Sequence, residues 1–344
     1  MSSLTPLVCI CIPTYNAEKT IAATMRSVLG QTYQNILVHV VDNNSSDGTV
    51  SIVESFPDER ITLFRSAVNA SGEGNFNRCI ALAKGKYTAI YHADDIYEPE
   101  MVATQVAFLE QHPQAGAVFT EALLIDEHDL PIGAIRQPKN LAAGGPLHYF
   151  PEVFKAILDH SNFLICPSVM ALTSVYQDDI KSWRDELFGF GSSADLDVWL
   201  RMLQQGPIGI ISKKLMRYRI SQSQWSANVR IDTNRSAFFN VIDYYLAKHE
   251  VQMLLTDADM VNYERLECRD WVMRAANAMV AKQPEMAREL CPDIFSMRAL
   301  YAALQTRRGL AVFLLAFYIK LMLLLRLTGL AGVSLRHMKR MARK

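Results

Sequence analysis

The apolar positions of the first hundred residues switch between two rhythms. Residues 6–12, 36–41, 61–64 and 87–91 are short apolar runs rich in β-branched or aromatic residues. They are continuous rather than alternating, as expected of strands buried on both faces. Between them the spacing turns helical, most clearly at Ile21, Met25, Val28 and Leu29. Residues 49–56 predict a short helix, and 72–83 a longer one stopped near Gly85. This β-α-β-α-β-α-β order, with loops of a few residues, predicts a parallel α/β sheet. Ligands on such sheets bind beyond the carboxyl ends of the strands.

The pattern continues less regularly. A helix is predicted over 98–111, with Pro99 in its first turn, and a strand over 117–125. Residues 126–146 are polar and rich in Gly and Pro, which predicts a mobile loop. A helix over 151–159 precedes an apolar return to the sheet at 165–172. Asp195 opens a helix whose apolar face is Leu196, Trp199, Leu200 and Leu203, and a carboxylate there is favoured by the helix dipole. A strand follows at 208–211, then basic groups at 214–219, and an ordinary helical pattern over 231–306.

The stretch 309–330 is apolar and lies between Arg307-Arg308 and a tail, 335–344, with five basic residues and no acid. About 20 apolar residues suffice to cross a bilayer. Lys320 and Arg326 weigh against a clean span, whereas the basic flanks suit a membrane surface. Core burial is the plain alternative. The chain therefore divides into 1–97, 98–226, a helical extension 227–306 and a membrane-associating segment 307–344.

Composition changes little. Lys+Arg and Asp+Glu number 35 each in 344 residues, so no net field points to nucleic acid. Six cysteines are scattered without zinc-type spacing, and Cys9-x-Cys11 shares one strand face. Reduced core thiols and a cytoplasmic setting are expected. The first residues lack the basic and apolar regions of a signal peptide.

The chemistry concentrates at Asp94-Asp95, where the run 87–91 ends and before Pro99 opens a helix. Adjacent carboxylates resist joint ionisation unless a cation joins them. Hard oxygen ligands suit Mg²⁺ or Mn²⁺, ions that commonly carry phosphates. Asn16, Asp42 and Asn43 fall at other strand ends, the last two opening a turn cluster rich in acceptors.

Five motifs resemble the glycosyltransferase family 2 group, inverting enzymes of the GT-A fold. They are Ile12-Pro-Thr-Tyr-Asn16, Val41-Asp-Asn-Asn-Ser-Ser-Asp-Gly-Thr49, residues 69–87 with their Ala-Lys-Gly-Lys-Tyr ending, His92-Ala-Asp-Asp95, and Ala194-Asp-Leu-Asp-Val-Trp-Leu-Arg201. The resemblance covers 7–226 and implies a Rossmann-like, mostly parallel sheet with a C-terminal helical extension. It implies a nucleotide-sugar pocket of Pro13, Tyr15, Asn16, Asp42 and Asn43, with Tyr15 against the base. Asn43 stands where the family commonly has Asp, and uracil is the default base. The Asp-x-Asp motif of the family becomes His92-x-Asp94. Asp94 would ligate Mn²⁺ or Mg²⁺, Asp95 would be a second ligand or an orienting partner, and His92 would face ribose or phosphate. Asp195 matches the family's catalytic base, although Ala194 replaces the preceding Glu; Asp197 ranks second. Ser221 stands where many members have His, and Trp225 could stack on an acceptor sugar.

The expected function is an inverting transfer of a sugar from a UDP-sugar or similar donor. The acceptor would be a hydroxyl of a glycan or lipid-linked acceptor in cell-surface polysaccharide or lipopolysaccharide synthesis. The place would be the cytosolic face of a bacterial inner membrane, with peripheral contact through 307–344. A nucleotidyltransferase would want a Gly-rich basic phosphate loop, which 13–16 is not. A non-catalytic glycan-binding or scaffold protein on the same fold is the other alternative, motivated by His92, Asn43 and Ala194.

Overall fold

A computed structural model of the chain describes residues 5–184, 188–220, 233–291 and 306–341. It comprises two compact units, Met1–Ser221 and Gln222–Lys344.

The first unit begins with β1 (Val8–Thr14), α1 (Ile21–Leu29), β2 (Ile36–Asp42), α2 (Thr49–Glu54), β3 (Ile61–Arg65), α3 (Ser71–Leu82) and β4 (Tyr87–Ile90). Next come β5 (Ile96–Tyr97), α4 (Met101–Gln111), β6 (Ala117–Ile125), β7 (Pro131–Ile135), α5 (Lys139–Ala142), β8 (Leu147–His148) and α6 (Phe150–His160). β9 (Met170–Leu172), α7 (Ala194–Gln205) and β10 (Ile208–Arg219) complete it. One sheet runs through all of these strands in the order β3-β2-β1-β4-β9-β6-β10-β5, with β7 on β6 and β8 on β10. The β3-β2-β1-β4 part is parallel, and so is the nine-residue pairing of β10 with β6. β9 is antiparallel to both β4 and β6.

The order positions the site. From β1 the chain moves outward to β2 and β3, then α3 carries it back to β4 on the other side of β1. Connections therefore leave β1 and β4 in opposite directions, which opens a crevice at their carboxyl ends. The apolar runs supply the packing: Ile10, Ile12, Val38, Val40 and Ala89 join Ile21 and Met25 of α1 in one buried cluster. The other face of β1 carries Cys9 and Cys11, whose sulfurs lie 3.8 Å apart, with Cys9 Sγ 3.5 Å from His39 Nδ1. The described cysteines are all unbridged. Hydrogen bonding between the two thiols and burial push Cys9 well up, so it stays protonated in the core.

Several elements differ from expectation. Residues 131–135 form a strand and 139–142 a helical turn within the stretch expected to be loop. Asp126 Oδ1 accepts from the His128 and Leu130 N–H groups (2.8 and 3.0 Å), a side-chain turn that sets the β6–β7 hairpin. The strand expected over 208–211 continues to Arg219 through two register shifts, which carry it past Lys213-Lys214. The helical periodicity spans 17–29, but α1 proper starts at Ile21; residues 17–20 form a turn in which Ile21 N–H already reaches Ala17 O (2.9 Å).

Gly85 turns α3 into β4 at φ +80°, and a Cβ there would lie 2.5 Å from the Leu7 carbonyl oxygen. Backbone cannot swing away as a side chain can. Gly85→Ala is expected to cost about 2 kcal/mol, read as a lower urea midpoint at unchanged slope.

The second unit is helical: α8 (Ala237–Leu246), α9 (His249–Gln252), α10 (Asp257–Val280), α11 (Pro284–Leu290), α12 (Arg307–Leu324) and α13 (Thr328–Met341). Thr256 and Asp259 close a capping box at the start of α10. Val272, Ala276 and Met279 of α10 pack with Ala316, Ile319 and Leu323 of α12 and Leu335 of α13. Arg326 ends α12 at φ +58°, and Leu327 N–H reaches back to Met322 O (2.9 Å), the bonding of a left-handed helix stop. No helix among the described residues is long and apolar enough to cross a membrane.

Candidate active site

The turn after β4 is built from its own residues. Tyr91 and Tyr97 stack with ring centroids 3.8 Å apart. Tyr97 Oη accepts from the His92 N–H (2.7 Å) and donates to the His92 carbonyl (3.3 Å). The intervening Asp94 and Asp95 are thereby held at the crevice. Asp95 is fully buried. Its Oδ1 accepts from the Arg219 N–H (2.8 Å), while Oδ2 lacks a hydrogen-bond partner and lies 3.9 Å from His92 Nδ1. Burial first, and the Asp94 charge second, push the Asp95 carboxyl well above the usual range. His92 keeps a quarter of its ring exposed, but its Nε2 is sealed and unpartnered. Burial lowers its pKa, leaving a neutral imidazole able to ligate.

One nitrogen of His92 and one oxygen each of Asp94 and Asp95 all lie within 4.8 Å of one another. Two orphaned buried acceptor or donor atoms beside a second carboxylate are costly unless something binds them. Imidazole with two carboxylates is a donor set that fits Mn²⁺, or Mg²⁺ with retained waters.

Across the crevice, β1 ends in Thr14, whose carbonyl accepts from the Asn43 N–H (2.8 Å). Tyr15 follows with 52% of its surface exposed, and Pro13 is half-buried. Asn16 interlocks with the turn after β2: its N–H donates to Ser45 Oγ (2.9 Å) and its Oδ1 accepts from Ser46 N–H (2.9 Å). Asp42 is buried, with Oδ2 on the Ser45 N–H (3.1 Å) and Oδ1 unpartnered. Asn43 is also buried, but its amide is largely committed to the chain. Its Nδ2 donates to Asn69 Oδ1 (2.9 Å) and Ser71 O (2.8 Å), and its Oδ1 accepts from Ala70 N–H (2.9 Å). An Asp could not make the two donor bonds, which gives the substitution a structural reason.

Asp195 stands in the first turn of α7, with Oδ1 on the Leu196 N–H (2.8 Å). Burial pushes its carboxyl up to about 6. Asp195 and Asp95 both raise the Cys166 thiol, after burial. The same two, with Asp94, raise the Tyr218 hydroxyl, again after burial. Asp197, two residues on, is a different case. It is fully buried between Arg184 (2.5 and 3.0 Å) and Arg201 (2.9 Å). Arg201 also donates to the Ile180 and Ser182 carbonyls (2.6 and 2.7 Å). Ser221 and Trp225 lie outside the described residues.

The profile of the Glycosyl transferase family 2 matches residues 9–173, which contain β1, the turn after β2 and the Asp94-Asp95 turn. The chain carries a family 2 glycosyltransferase domain. It is 27% identical over 201 residues to the Escherichia coli UDP-Glc:alpha-D-GlcNAc-diphosphoundecaprenol beta-1,3-glucosyltransferase WfaP, covering 58% of this chain and 71% of that one. The E. coli WfgD enzyme of the same description is 27% identical over 224 residues, 64% of this chain and 80% of its own. The structure of S. aureus TarS residues 1–349 with UDP-GlcNAc superposes with TM-score 0.57 at 15% identity, covering 87% of this chain and 91% of that one. Against a longer TarS structure the chain spans 54% of that length, with TM-score 0.56 and 17% identity. The fold is GT-A.

Arg219 also belongs to this candidate site, although no motif pointed to it. Besides its N–H on Asp95, its Nε donates to the Asp94 carbonyl (2.8 Å) and its Nη1 to the Asp126 carbonyl (3.1 Å), with Asp129 paired at 2.5 Å. The end of β10 and the β6–β7 turn are thus tied to the Asp94-Asp95 turn. The basic run 214–219 held the only hint, because strand pairing 124 residues apart leaves no local signature.

Proposed function

We propose that this glycosyltransferase moves a sugar, with inversion, from a nucleoside-diphosphate sugar to a hydroxyl of a glycan or lipid-linked acceptor of a bacterial cell surface. The observation that supports the reading is the convergence of His92, Asp94 and Asp95 at the end of β4. Asp195, at the start of α7, acts on two of the same neighbours as Asp95, Cys166 and Tyr218. Tyr15, exposed at the end of β1, lies against the donor base, with Pro13, Asn16, Asp42 and Asn43 forming the rest of the nucleotide pocket. UDP is the default nucleotide, in keeping with the UDP-Glc donor of the relatives WfaP and WfgD. The same names motivate a lipid-linked acceptor, and with the basic apolar C-terminus they motivate peripheral contact of 307–344 with the cytosolic face of the membrane.

Asp94 and Asp95, with His92, would hold a Mn²⁺ or Mg²⁺ ion. Such an ion would supply positive charge against the diphosphate leaving group. Arg219 holds the Asp94 carbonyl through its Nε and the Asp95 carboxylate through its backbone N–H. Asp195 accepts the proton of the acceptor hydroxyl as its oxygen attacks the anomeric carbon. The C–O bond to the diphosphate breaks in the same displacement, so no enzyme nucleophile is needed.

The test is release of nucleoside diphosphate from a panel of sugar donors, with Mn²⁺, Mg²⁺ or EDTA. Turnover is expected with a UDP-sugar and a divalent ion, and chelation is expected to abolish it. An Asp94→Asn variant is expected to weaken Mn²⁺ binding, read by calorimetry, by about tenfold or more. Undiminished turnover in EDTA would remove the metal assignment. Absence of turnover with every donor and acceptor extract would favour a glycan-binding scaffold.

A further inference from the structure

Three soft donors meet on the face of β1 that carries Cys9 and Cys11. His39 of β2 lies in register with Cys11, and its Nδ1 is 3.5 Å from Cys9 Sγ. The two sulfurs are 3.8 Å apart, and one donor atom from each of the three residues lies within 4.8 Å of the others. Cys79 of α3 backs the group. Its carbonyl accepts from Cys11 Sγ (3.5 Å), and its thiol also lies beside Cys11. All four residues are buried, and the cysteines are unbridged.

A thiol is a weak donor and a weak acceptor, so hydrogen bonding is a modest reason to gather these groups. A thiophilic cation is a stronger one. Zn–S bonds of about 2.3 Å and Zn–N bonds of about 2.0–2.1 Å at tetrahedral angles set S···S about 3.8 Å and S···N about 3.6 Å apart. The observed 3.8 and 3.5 Å match both edges. Charge then decides the ion. The group is sealed from water, where a net charge is costly. Two thiolates and a neutral imidazole balance a divalent cation and leave no residual charge. Thiolate and imidazole also select zinc over the Mg²⁺ and Mn²⁺ that carboxylates favour.

We infer that Cys9 Sγ, Cys11 Sγ and His39 Nδ1 form a structural zinc site inside the sheet, with Cys79 facing its fourth corner. Loading releases one proton from each of Cys9 and Cys11 to water, with no change of oxidation state. Because the group is sealed, the ion enters as the chain folds. It clamps β1 to β2, three residues before Thr14 and Asp42 at the crevice. The sequence shows no zinc-type spacing because the ligands come from two neighbouring strands, not from one loop. The site is independent of the transferase reading.

The test is metal analysis of the full chain, purified and then refolded from urea with zinc, with cobalt or with EDTA. About one zinc per chain is expected, retained when the folded protein is dialysed against EDTA. Refolding with zinc is expected to raise the melting temperature by about 5 °C or more over refolding in EDTA. Cobalt in its place is expected to give a sulfur-to-metal charge-transfer band, and Cys9→Ala to lose both the band and the retained zinc. His39→Leu is expected to lower zinc affinity by about tenfold or more, read by competition with a chromophoric chelator during refolding. Asp94→Asn should leave the band and the retained zinc unchanged, which separates this site from the crevice. Should Cys9→Ala fail to fold, the cobalt band of the parent chain decides. A chain that carries no zinc, and gains neither band nor melting shift on refolding with either metal, overturns the inference. Zinc that EDTA strips from the folded chain and that Asp94→Asn loses belongs to the crevice and overturns it too. A disulfide joining Cys9 to Cys11, found by mass mapping without reductant, overturns it as well.

Discussion

Replacing Asp195 by Asn is expected to lower kcat by about 10²–10⁴-fold while leaving donor affinity unchanged. The side chain keeps its shape and its bond from the Leu196 N–H, but it can no longer take the acceptor proton. Calorimetry with the donor nucleotide checks that binding survives, and single-turnover transfer checks the loss. The pH dependence follows from the environment. Burial raises this carboxyl to about 6, and only its ionised form is a base. kcat/KM is therefore expected to climb with pH to about 6 and level off above it, and the residual activity of the Asn variant should lack that limb. Stability moves the other way. A folded-state pKa above the unfolded value of 3.8 contributes stability at low pH that is lost as pH rises through about 6. At neutral pH the Asn variant should be at least as stable as the parent. A variant that retained full turnover would remove the base assignment.

Asp197→Asn should show the opposite profile. Here the carboxylate is fully buried between the guanidinium groups of Arg184 and Arg201. Removing its charge takes the shared counter-ion away from the Arg184 and Arg201 guanidinium groups. Breaking one partner out of a buried ion pair costs about 3–5 kcal/mol, and the partial exposure of both arginines favours the lower end. For a unit of this size about 3 kcal/mol corresponds to a fall of roughly 6–12 °C in melting temperature. Calorimetric melting of the two Asn variants side by side is the decisive measurement. Position 195 should lose turnover and keep its melting temperature; position 197 should melt early and keep donor turnover below its new transition. A shared fall in melting temperature would mean that both carboxylates are structural.

These two aspartates show how far sequence reading reached. Both belong to one motif and both sit in the first turn of α7, so helix placement and dipole were legible. Which of them meets two arginines was not. Arg184 comes from the segment before α7, and no local spacing records its approach. The turn after β4 behaved similarly. The run 87–91 and the paired carboxylates were visible, whereas the Arg219 bonds that orient them arise from a strand 124 residues away. Asn43 read as a departure from a base-reading acid; the structure shows an amide stitched to Asn69, Ala70 and Ser71.

By itself, the sequence determined the strand runs of the parallel half, the helices between them and the crowding of carboxylates at the strand ends. Those features are encoded locally, by periodicity and by turn residues that compete for the backbone. Only the tertiary structure decided the antiparallel strands β5, β7 and β8, the antiparallel direction of β9, the partner of each carboxylate, and which face of α12 is covered. The last case gives the reason most plainly. Along 309–319 no residue is charged, so every face of the helix scores alike, and only the helices that pack beside it choose the one to bury.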